Sequence, residues 1–172
     1  MMQTLLKAGG MVLILFCTTS IGMALARELS RRVEQLETAV TMLDAFEGEL
    51  SYSLSPPDEI AGRLEQRDSL SDAAYLPLCS SLCRQGVPFP EAWKQAVTHQ
   101  PGSLSGEDAG ILAELSDTLG QFDLETQLSQ IRNIRSRLQL QLDGARVRCQ
   151  GYARLYRTMG LLSGAFLVII LI

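Results

Sequence analysis

The sequence predicts an all-α protein in which a cytoplasmic helical bundle lies between two terminal transmembrane helices. Of its 172 residues, 47% are hydrophobic and only 20% are charged, a composition that excludes general disorder. Aromatic residues make up only 6% and β-branched runs are few, so helices are favoured over a sheet. The longest apolar runs stand at the two ends of the chain, which predicts the membrane segments.

The N-terminal apolar run covers residues 8–26, nineteen residues without a charge. As a helix it would be about 28 Å long, close to the thickness of the hydrocarbon layer. We therefore assign residues 1–26 to an N-terminal transmembrane segment. The alternative is a cleaved signal peptide, with Lys7 as its charged start and a small-x-small motif ending at Ala26. This alternative predicts a secreted helical protein, but the run is longer than the apolar core of an ordinary signal peptide.

The C-terminal apolar run covers residues 158–172 and is the second predicted transmembrane segment. At fifteen residues it is short, so it would need snorkelling flanks or a thinned bilayer. Basic residues flank both segments on the side that faces residues 27–157, which predicts that this domain is cytoplasmic. The membrane-flanking arginines are Arg27, Arg31, Arg32, Arg154 and Arg157.

Residues 27–157 carry the pattern of a helical bundle. The first helix is expected to continue beyond Arg27, because an apolar stripe recurs at steps of three and four. Its members are Leu29, Val33, Leu36, Val40, Leu43, Phe46 and Leu50. A similar stripe marks the last and longest helix, which Asp123 is expected to cap. It includes Leu128, Ile131, Ile134, Leu138, Leu142, Ala145 and Cys149.

Shorter helices are predicted between these two from caps, prolines and glycines. Ser55 is expected to cap a helix that runs to about Gln66. Ser69 or Ser71 opens the next, which runs toward Gly86 and is bent or divided by Pro77. A further helix covers residues 91–99. Finally, Ser105 caps a helix that continues through Leu119 and is closed by Gly120.

Charge is divided along the chain. Residues 27–125 contain seven basic and eighteen acidic residues, whereas residues 126–157 contain seven arginines and one acid. The basic helix could complement the acidic helices within the bundle, or it could present a face that docks a partner. The docking candidates are Arg132, Arg135 and Arg137, with Asp44, Glu47 and Glu49 among the acids. Nucleic acid is not expected as a partner, because no basic patch with interleaved aromatics is present.

The sequence predicts no catalytic, cofactor or metal site. Cys79 and Cys83 share a helix face, but a zinc site needs two more ligands. His99, the single histidine, has no nucleophile tied to it by a motif and is expected at a helix end. The chain has no phosphate-binding glycine loop, and Trp93 is interpreted as a core residue. An enzyme or sensor tethered to the membrane remains the alternative, with His99 and the cysteine pair as its candidates.

Several segments, in their order and spacing, resemble the stage III sporulation protein AB family over essentially the whole chain. They are residues 27–36 (RELSRRVEQL), 43–52 (LDAFEGELSY), 56–60 (PPDEI), 91–93 (EAW), 115–123 (LSDTLGQFD), 125–127 (ETQ) and 156–172 (YRTMGLLSGAFLVIILI). The resemblance implies a non-enzymatic platform in the complex that joins mother cell and forespore, with a domain similar to the platform proteins of type II secretion and type IV pilus systems.

The same resemblance implies partners and a location. The partners that it implies are the secretion-type ATPase stage III sporulation protein AA and other proteins of the same operon. The bilayer is expected as a partner from the apolar ends of the chain, and a second copy of the chain is a further candidate. The expected location is the outer forespore membrane, with the domain facing the mother-cell cytoplasm.

Overall fold

A computed structural model describes the backbone of residues 2–120 and 123–171. Within these ranges it contains six α-helices and no strand, which confirms the all-α prediction. The helices are α1 (Met2–Ser53), α2 (Pro57–Glu65), α3 (Tyr75–Arg84), α4 (Phe89–His99), α5 (Gly106–Ala113) and α6 (Leu124–Leu171). Two short 3-10 helices, Asp68–Leu70 and Glu114–Asp117, stand in the connections.

The chain divides into two compact units. The terminal unit consists of Met1–Arg31 and Ala145–Ile172, and the central unit consists of Arg32–Gly144. Helices α1 and α6 each contribute residues to both units, whereas α2 to α5 belong to the central unit alone.

The central unit has a closed apolar core. The predicted stripe of α1 supplies Leu36, Leu43 and Phe46, all without solvent exposure, and α6 supplies Ile131 and Leu138. Burial of these side chains is the main favourable contribution to folding. The remaining fully buried large side chains include Met42, Ile60, Leu64, Leu76, Trp93, Leu112, Leu115 and Leu119.

Trp93 lies in the middle of an aromatic cluster. Its ring stacks on Phe89 at 5.8 Å between centroids and meets Tyr75 edge-on at 5.6 Å. The indole Nε1 donates a hydrogen bond to the carbonyl of Leu112 at 2.9 Å, so the one polar atom of this buried side chain is satisfied. This arrangement confirms the interpretation of Trp93 as a core residue.

The start of α2 differs from the prediction. Ser55 was expected to cap this helix, but the N-cap position belongs to Pro56, which makes no side-chain cap. The reason is that the following Pro57 disfavours helical backbone at Pro56, which is extended with ψ 146°. The helix therefore begins at Pro57, where a missing N–H costs no hydrogen bond.

The start of α3 also differs. No helix extends from Ser69 or Ser71 to Gly86, because a 3-10 helix and a turn occupy residues 68–74. Pro77 neither bends nor divides α3 but is its third residue. A proline is tolerated there, since the N–H groups of the first turn have no partner within the helix.

The later helix boundaries agree with the sequence more closely. Ser105 forms a reciprocal capping box with Asp108, and Asp123 accepts a hydrogen bond from the Thr126 N–H at 3.1 Å. Gly120 has φ 79° but does not end a helix as predicted, because the preceding 3-10 helix ends at Asp117 and residues 118–120 form a turn. Helix α5 is shorter than predicted, because it ends at Ala113 and continues as the 3-10 helix Glu114–Asp117.

The terminal unit exposes many large apolar side chains. Among those described are Leu13, Phe16, Ile21, Met23, Leu25, Val147, Tyr152, Leu155, Met159, Leu162 and Phe166. Ala26 is buried, and the Ser30 hydroxyl lies 3.6 Å from the thiol of Cys149. A helix of the length and apolarity needed to cross a membrane is not found in the part of the chain that the structure describes.

Candidate partner-docking face

The three arginines predicted to dock a partner contact carboxylates of the same chain. Arg132 Nε donates to Glu47 Oε1 at 2.6 Å, and Arg135 is paired with Asp44. Arg137 binds both carboxylate oxygens of Glu114, with its Nη2 2.9 Å from Oε1. These pairs confirm the interpretation that the basic helix complements acidic helices of the bundle, and Glu114 is a member that the sequence did not single out.

Glu49, the remaining docking candidate, belongs to a different cluster. Its carboxylate accepts from Arg67 Nη2 at 2.7 Å and lies 3.5 Å from Arg63 Nη2. These arginines stand in α2 and just after it, so Glu49 ties the end of α1 to α2. The structure therefore does not bring Glu49 into the group formed by Arg132, Arg135 and Arg137.

The paired arginines nevertheless remain accessible. The side chains of Arg132, Arg135 and Arg137 are 59%, 39% and 40% exposed. Exposed ion pairs of this kind contribute about 0–1 kcal/mol to stability, so exchanging one carboxylate partner for another costs little. Docking of a partner by these arginines stays a prediction.

The ion pairs follow ordinary electrostatics. Hydrogen bonds from Arg137 lower the pKa of Glu114, and the Asp44 carboxylate raises the pKa of Arg135. Both shifts favour the charged forms, so the pairs are ionised at neutral pH. The face is therefore a set of neutralised charges rather than a positive patch.

Leu140 stands out on this face because it is 73% exposed. It lies between two open grooves of about 340 and 370 Å³. The first is bordered by the Arg137 and Glu114 pair and the second by the Arg135 and Asp44 pair. We call the surface made by Arg132, Arg135, Arg137, Leu140 and the carboxylates paired with these arginines the arginine face.

The membrane-flanking arginines have different surroundings. Arg27 and Arg31 are exposed, whereas Arg32 lies in the central unit and binds Asp108, a carboxylate without solvent exposure. The side chains of Arg154 and Arg157 lie outside the described part of the structure. Sequence reasoning did not anticipate the contact of Arg32 with Asp108, although the capping motif of Ser105 and Asp108 is visible in the sequence.

The cysteine pair has the properties of packed thiols. Cys79 is buried and Cys83 is half-buried, and both are free. Burial, together with the neighbouring Cys83, raises the pKa of the Cys79 thiol, and burial raises that of Cys83 as well. Since the thiolate is the reactive form, these shifts make both cysteines less nucleophilic at neutral pH.

His99 is exposed at the C-terminal end of α4, as expected. Its Nδ1 donates to the carbonyl of Gln95 at 2.8 Å, a contact within its own helix. Among the described residues, no group of three or more His, Cys, Asp or Glu side chains could hold a metal ion.

Comparisons with known proteins agree with this architecture. The family model for stage III sporulation protein AB matches residues 7–172. The chain is 24% identical to stage III sporulation protein AB of Bacillus subtilis (strain 168), over 97% of this chain and 99% of that protein. A solved structure of stage III sporulation protein AB has a similar fold, with a TM-score of 0.55 at 22% identity, covering 69% of this chain and 95% of that one. The chain belongs to the stage III sporulation protein AB family.

Proposed function

We propose that this protein is a non-enzymatic membrane platform of the sporulation complex between mother cell and forespore. Residues 1–26 and 158–172 are its two membrane anchors, and residues 27–157 form the domain that faces the mother-cell cytoplasm from the outer forespore membrane. The domain recruits a secretion-type ATPase, stage III sporulation protein AA, together with other proteins of the same operon.

The observation that carries the proposal is the unequal distribution of exposed apolar side chains. Eleven of the large apolar side chains described as exposed belong to the terminal unit, and three belong to the central unit. Large exposed apolar surfaces mark membrane or protein contacts, whereas a closed core with a charged surface suits water. This contrast supports a platform in which the terminal unit meets lipid and the central unit meets soluble partners.

Recruitment of the ATPase can be tested with a charge swap on the arginine face. The variant Arg135→Asp should lower co-purification of the ATPase with the full-length protein several-fold, because the variant no longer presents the Arg135 cation to the ATPase. The double variant Asp44→Arg/Arg135→Asp restores the ion pair within the chain but inverts its direction. If Arg135 contacts the ATPase, the double variant stays defective. Full recovery in the double variant would show that Arg135 acts only through the fold.

The membrane topology has its own test. Ser71 is exposed in the central unit, so Ser71→Cys, made in a chain whose four native cysteines are replaced by alanine, offers one thiol to a membrane-impermeant maleimide. We expect labelling only after the cells are permeabilised. Labelling in intact cells would contradict a cytoplasmic domain. The mass of the extracted protein addresses the secreted alternative, since cleavage near Arg27 would remove the N-terminal segment.

The tethered sensor or enzyme makes a different prediction. In that case His99→Ala would impair spore formation, whereas the platform model expects spore counts equal to those of the parent. Because His99 is exposed and bonds within its own helix, the substitution is not expected to disturb folding.

A further inference from the structure

Two large apolar side chains stand together at the connection between α1 and α2. Tyr52 is 96% exposed and Leu54 is 69% exposed. The other large apolar side chain described as exposed in the central unit, Leu140, belongs to the arginine face. Tyrosine is enriched among the few residues that carry most of the binding energy of protein interfaces, and neighbouring apolar contacts exclude water from them.

The connection is ordered by hydrogen bonds although its side chains are exposed. The Ser53 hydroxyl accepts from Arg63 Nη2 at 3.1 Å and from the Ser55 N–H at 3.4 Å. Leu54 lies between these bonds with φ 51°, a left-handed conformation that costs about 1–2 kcal/mol for residues other than glycine. A large apolar side chain thus occupies a position where the backbone alone would favour glycine.

Acidic side chains border the apolar pair. Asp58 and Glu59 follow it in the first turn of α2 and are exposed. A Cβ placed on Gly120 would lie 3.8 Å from Pro57 Cγ, so the turn before α6 reaches the same end of the central unit. Asp123 is three residues beyond Gly120 and therefore within about 11 Å of it along the chain. We call Tyr52, Leu54 and this acidic border, which also includes exposed Glu125, the acidic tip.

The arginines of the central unit neutralise this border only in part. Each arginine in the range 32–144 forms an ion pair with a carboxylate elsewhere. The pairs are Arg32 with Asp108, Arg63 and Arg67 with Glu49, Arg84 with Glu65, Arg132 with Glu47, Arg135 with Asp44, and Arg137 with Glu114. Arg63 and Arg67 share the one carboxylate of Glu49, so one positive charge stands beside Ser53 against the four exposed carboxylates of the border. The acidic tip therefore keeps an excess of negative charge that an external cation can meet.

We propose that the acidic tip is a docking site for a protein partner that presents an apolar pocket edged by lysine and arginine. The inference rests on the proposed role of the central unit as a docking body, but it does not depend on the arginine face. Tyr52 and Leu54 enter the pocket and supply affinity, while Asp58, Glu59, Asp123 and Glu125 select for basic groups and accelerate association.

Charge decides between this partner and other surfaces. Anionic lipid headgroups and nucleic acid would be repelled by the acidic border. A second copy of the chain is also a poor match. The arginines of its central unit are already paired with carboxylates of that copy, and its other acids would repel the acidic tip. A basic protein surface is the occupant that satisfies both the apolar pair and its border.

The test is photo-crosslinking from position 52 of the full-length protein in sporulating cells. Tyr52 is replaced by p-benzoylphenylalanine, and the crosslinked peptide is identified by mass spectrometry. We expect an adduct with one other protein, at a segment that combines apolar residues with lysine or arginine. The yield should fall at least fivefold in the Asp58→Asn/Glu59→Gln variant. It should not change in the matched control Asp68→Asn/Glu91→Gln, which removes two exposed acids elsewhere.

A second variant separates docking from folding. Leu54→Gly relieves the positive φ, so its melting temperature should equal or exceed that of the parent, yet it should lose most of the crosslink from position 52. An adduct only with lipid or with a second copy of the chain, an equal yield in both neutral variants, or a full yield in Leu54→Gly would overturn the proposal.

Co-purification of the ATPase is measured in the same strains, so that failure of the acidic tip proposal can be told apart from failure of the proposed function. If the crosslink from position 52 forms but the ATPase does not co-purify, recruitment of the ATPase is refuted and the acidic tip proposal stands. Normal ATPase capture without a crosslink would refute the acidic tip alone.

Discussion

Arg32 holds the carboxylate of Asp108 with two hydrogen bonds, although these residues are 76 positions apart. Nε donates to Oδ2 at 2.9 Å and Nη2 donates to Oδ1 at 3.1 Å. Asp108 has no solvent exposure, and its Oδ2 also accepts the N–H of Ser105 at 2.9 Å. One carboxylate therefore caps α5 and attaches it to α1.

Loss of Arg32 should destabilise the protein strongly. The Arg32→Ala variant would leave a buried carboxylate without its cation, which costs about 3 kcal/mol of unfolding free energy. Urea denaturation followed by circular dichroism measures this loss. The neighbouring exposed Arg31→Ala is the matched control and should change stability by less than about 0.5 kcal/mol. Equal effects of the two variants would contradict a special role for the Asp108 pair.

The same pair predicts a pH dependence. Burial of Asp108 opposes its ionisation, but the hydrogen bonds from Arg32 and Ser105 outweigh burial and lower its pKa below the usual value. A lowered folded-state pKa stabilises the protein above the unfolded-state pKa of about 3.9, and this stability is lost as the pH falls through the folded-state pKa. The stability difference between the parent and Asp108→Asn should thus be constant from about pH 5 to 8 and shrink below about pH 4. A difference that grows toward acid would contradict this assignment.

A side chain at Gly102 is expected to displace the amide end of Gln35 and so to break its hydrogen bond to Ser103. The Gln35 Oε1 accepts the Ser103 N–H at 2.6 Å, and a Cβ on Gly102 would collide with the same amide group. Gly102→Ala should therefore cost more than Gly86→Ala, although both glycines have positive φ, because a Cβ on Gly86 meets open space. The melting temperatures of the two variants are compared. Gly102→Ala combines backbone strain with the contact to Gln35, whereas Gly86→Ala has backbone strain alone. When Gln35→Ala is added to both variants, the difference between their melting temperatures should narrow. An unchanged difference would show that the contact between the Gly102 Cβ and Gln35 does not cause it.

Trp93 should be a large single contributor to the core. Trp93→Phe removes the hydrogen bond to Leu112 and part of the buried volume, and is expected to cost about 2 kcal/mol. Trp93→Ala should cost about 3–5 kcal/mol because it also leaves a cavity. Urea unfolding monitored by circular dichroism gives both values, since the variants lack the chain's single tryptophan as a fluorophore. The adjacent exposed Lys94→Ala is the control, and a loss equal to that of Trp93→Phe would count against the core assignment.

The predicted helices were recovered where the signal is local. Ser105 and Asp123 cap helices as their side chains suggested, and Leu36, Phe46 and Ile131 are buried as their spacing indicated. The predicted start of α2 was wrong by one residue, because the cap preference of Ser55 was given more weight than the restriction that Pro57 places on Pro56. In α3, the proline was expected to break a helix that in fact begins just before it.

The candidate face was predicted less completely. The sequence separated basic from acidic segments, but it did not show that each arginine of the docking group meets a carboxylate of the same chain. It also placed Glu49 with Glu47, whereas Glu49 pairs with the arginines at the end of α2. Tyr52 was the last residue of a segment that resembles the family, and Leu54 lay in the connection that follows it. Nothing in their spacing indicated that both side chains are exposed.

By itself, the sequence determined the all-helical class, the apolar faces of α1 and α6, the caps at Ser105 and Asp123 and the apolar character of the two ends. These features depend on composition and on neighbours within about four positions, which the chain states directly. The tertiary structure alone decided that Arg32 meets Asp108, that Gln35 meets Ser103 and that Tyr52 meets solvent. The two contacts join residues far apart along the chain, and they form only when burial of the shared core offsets the entropy of closing the loops between them. The exposure of Tyr52 likewise depends on where the rest of the chain packs.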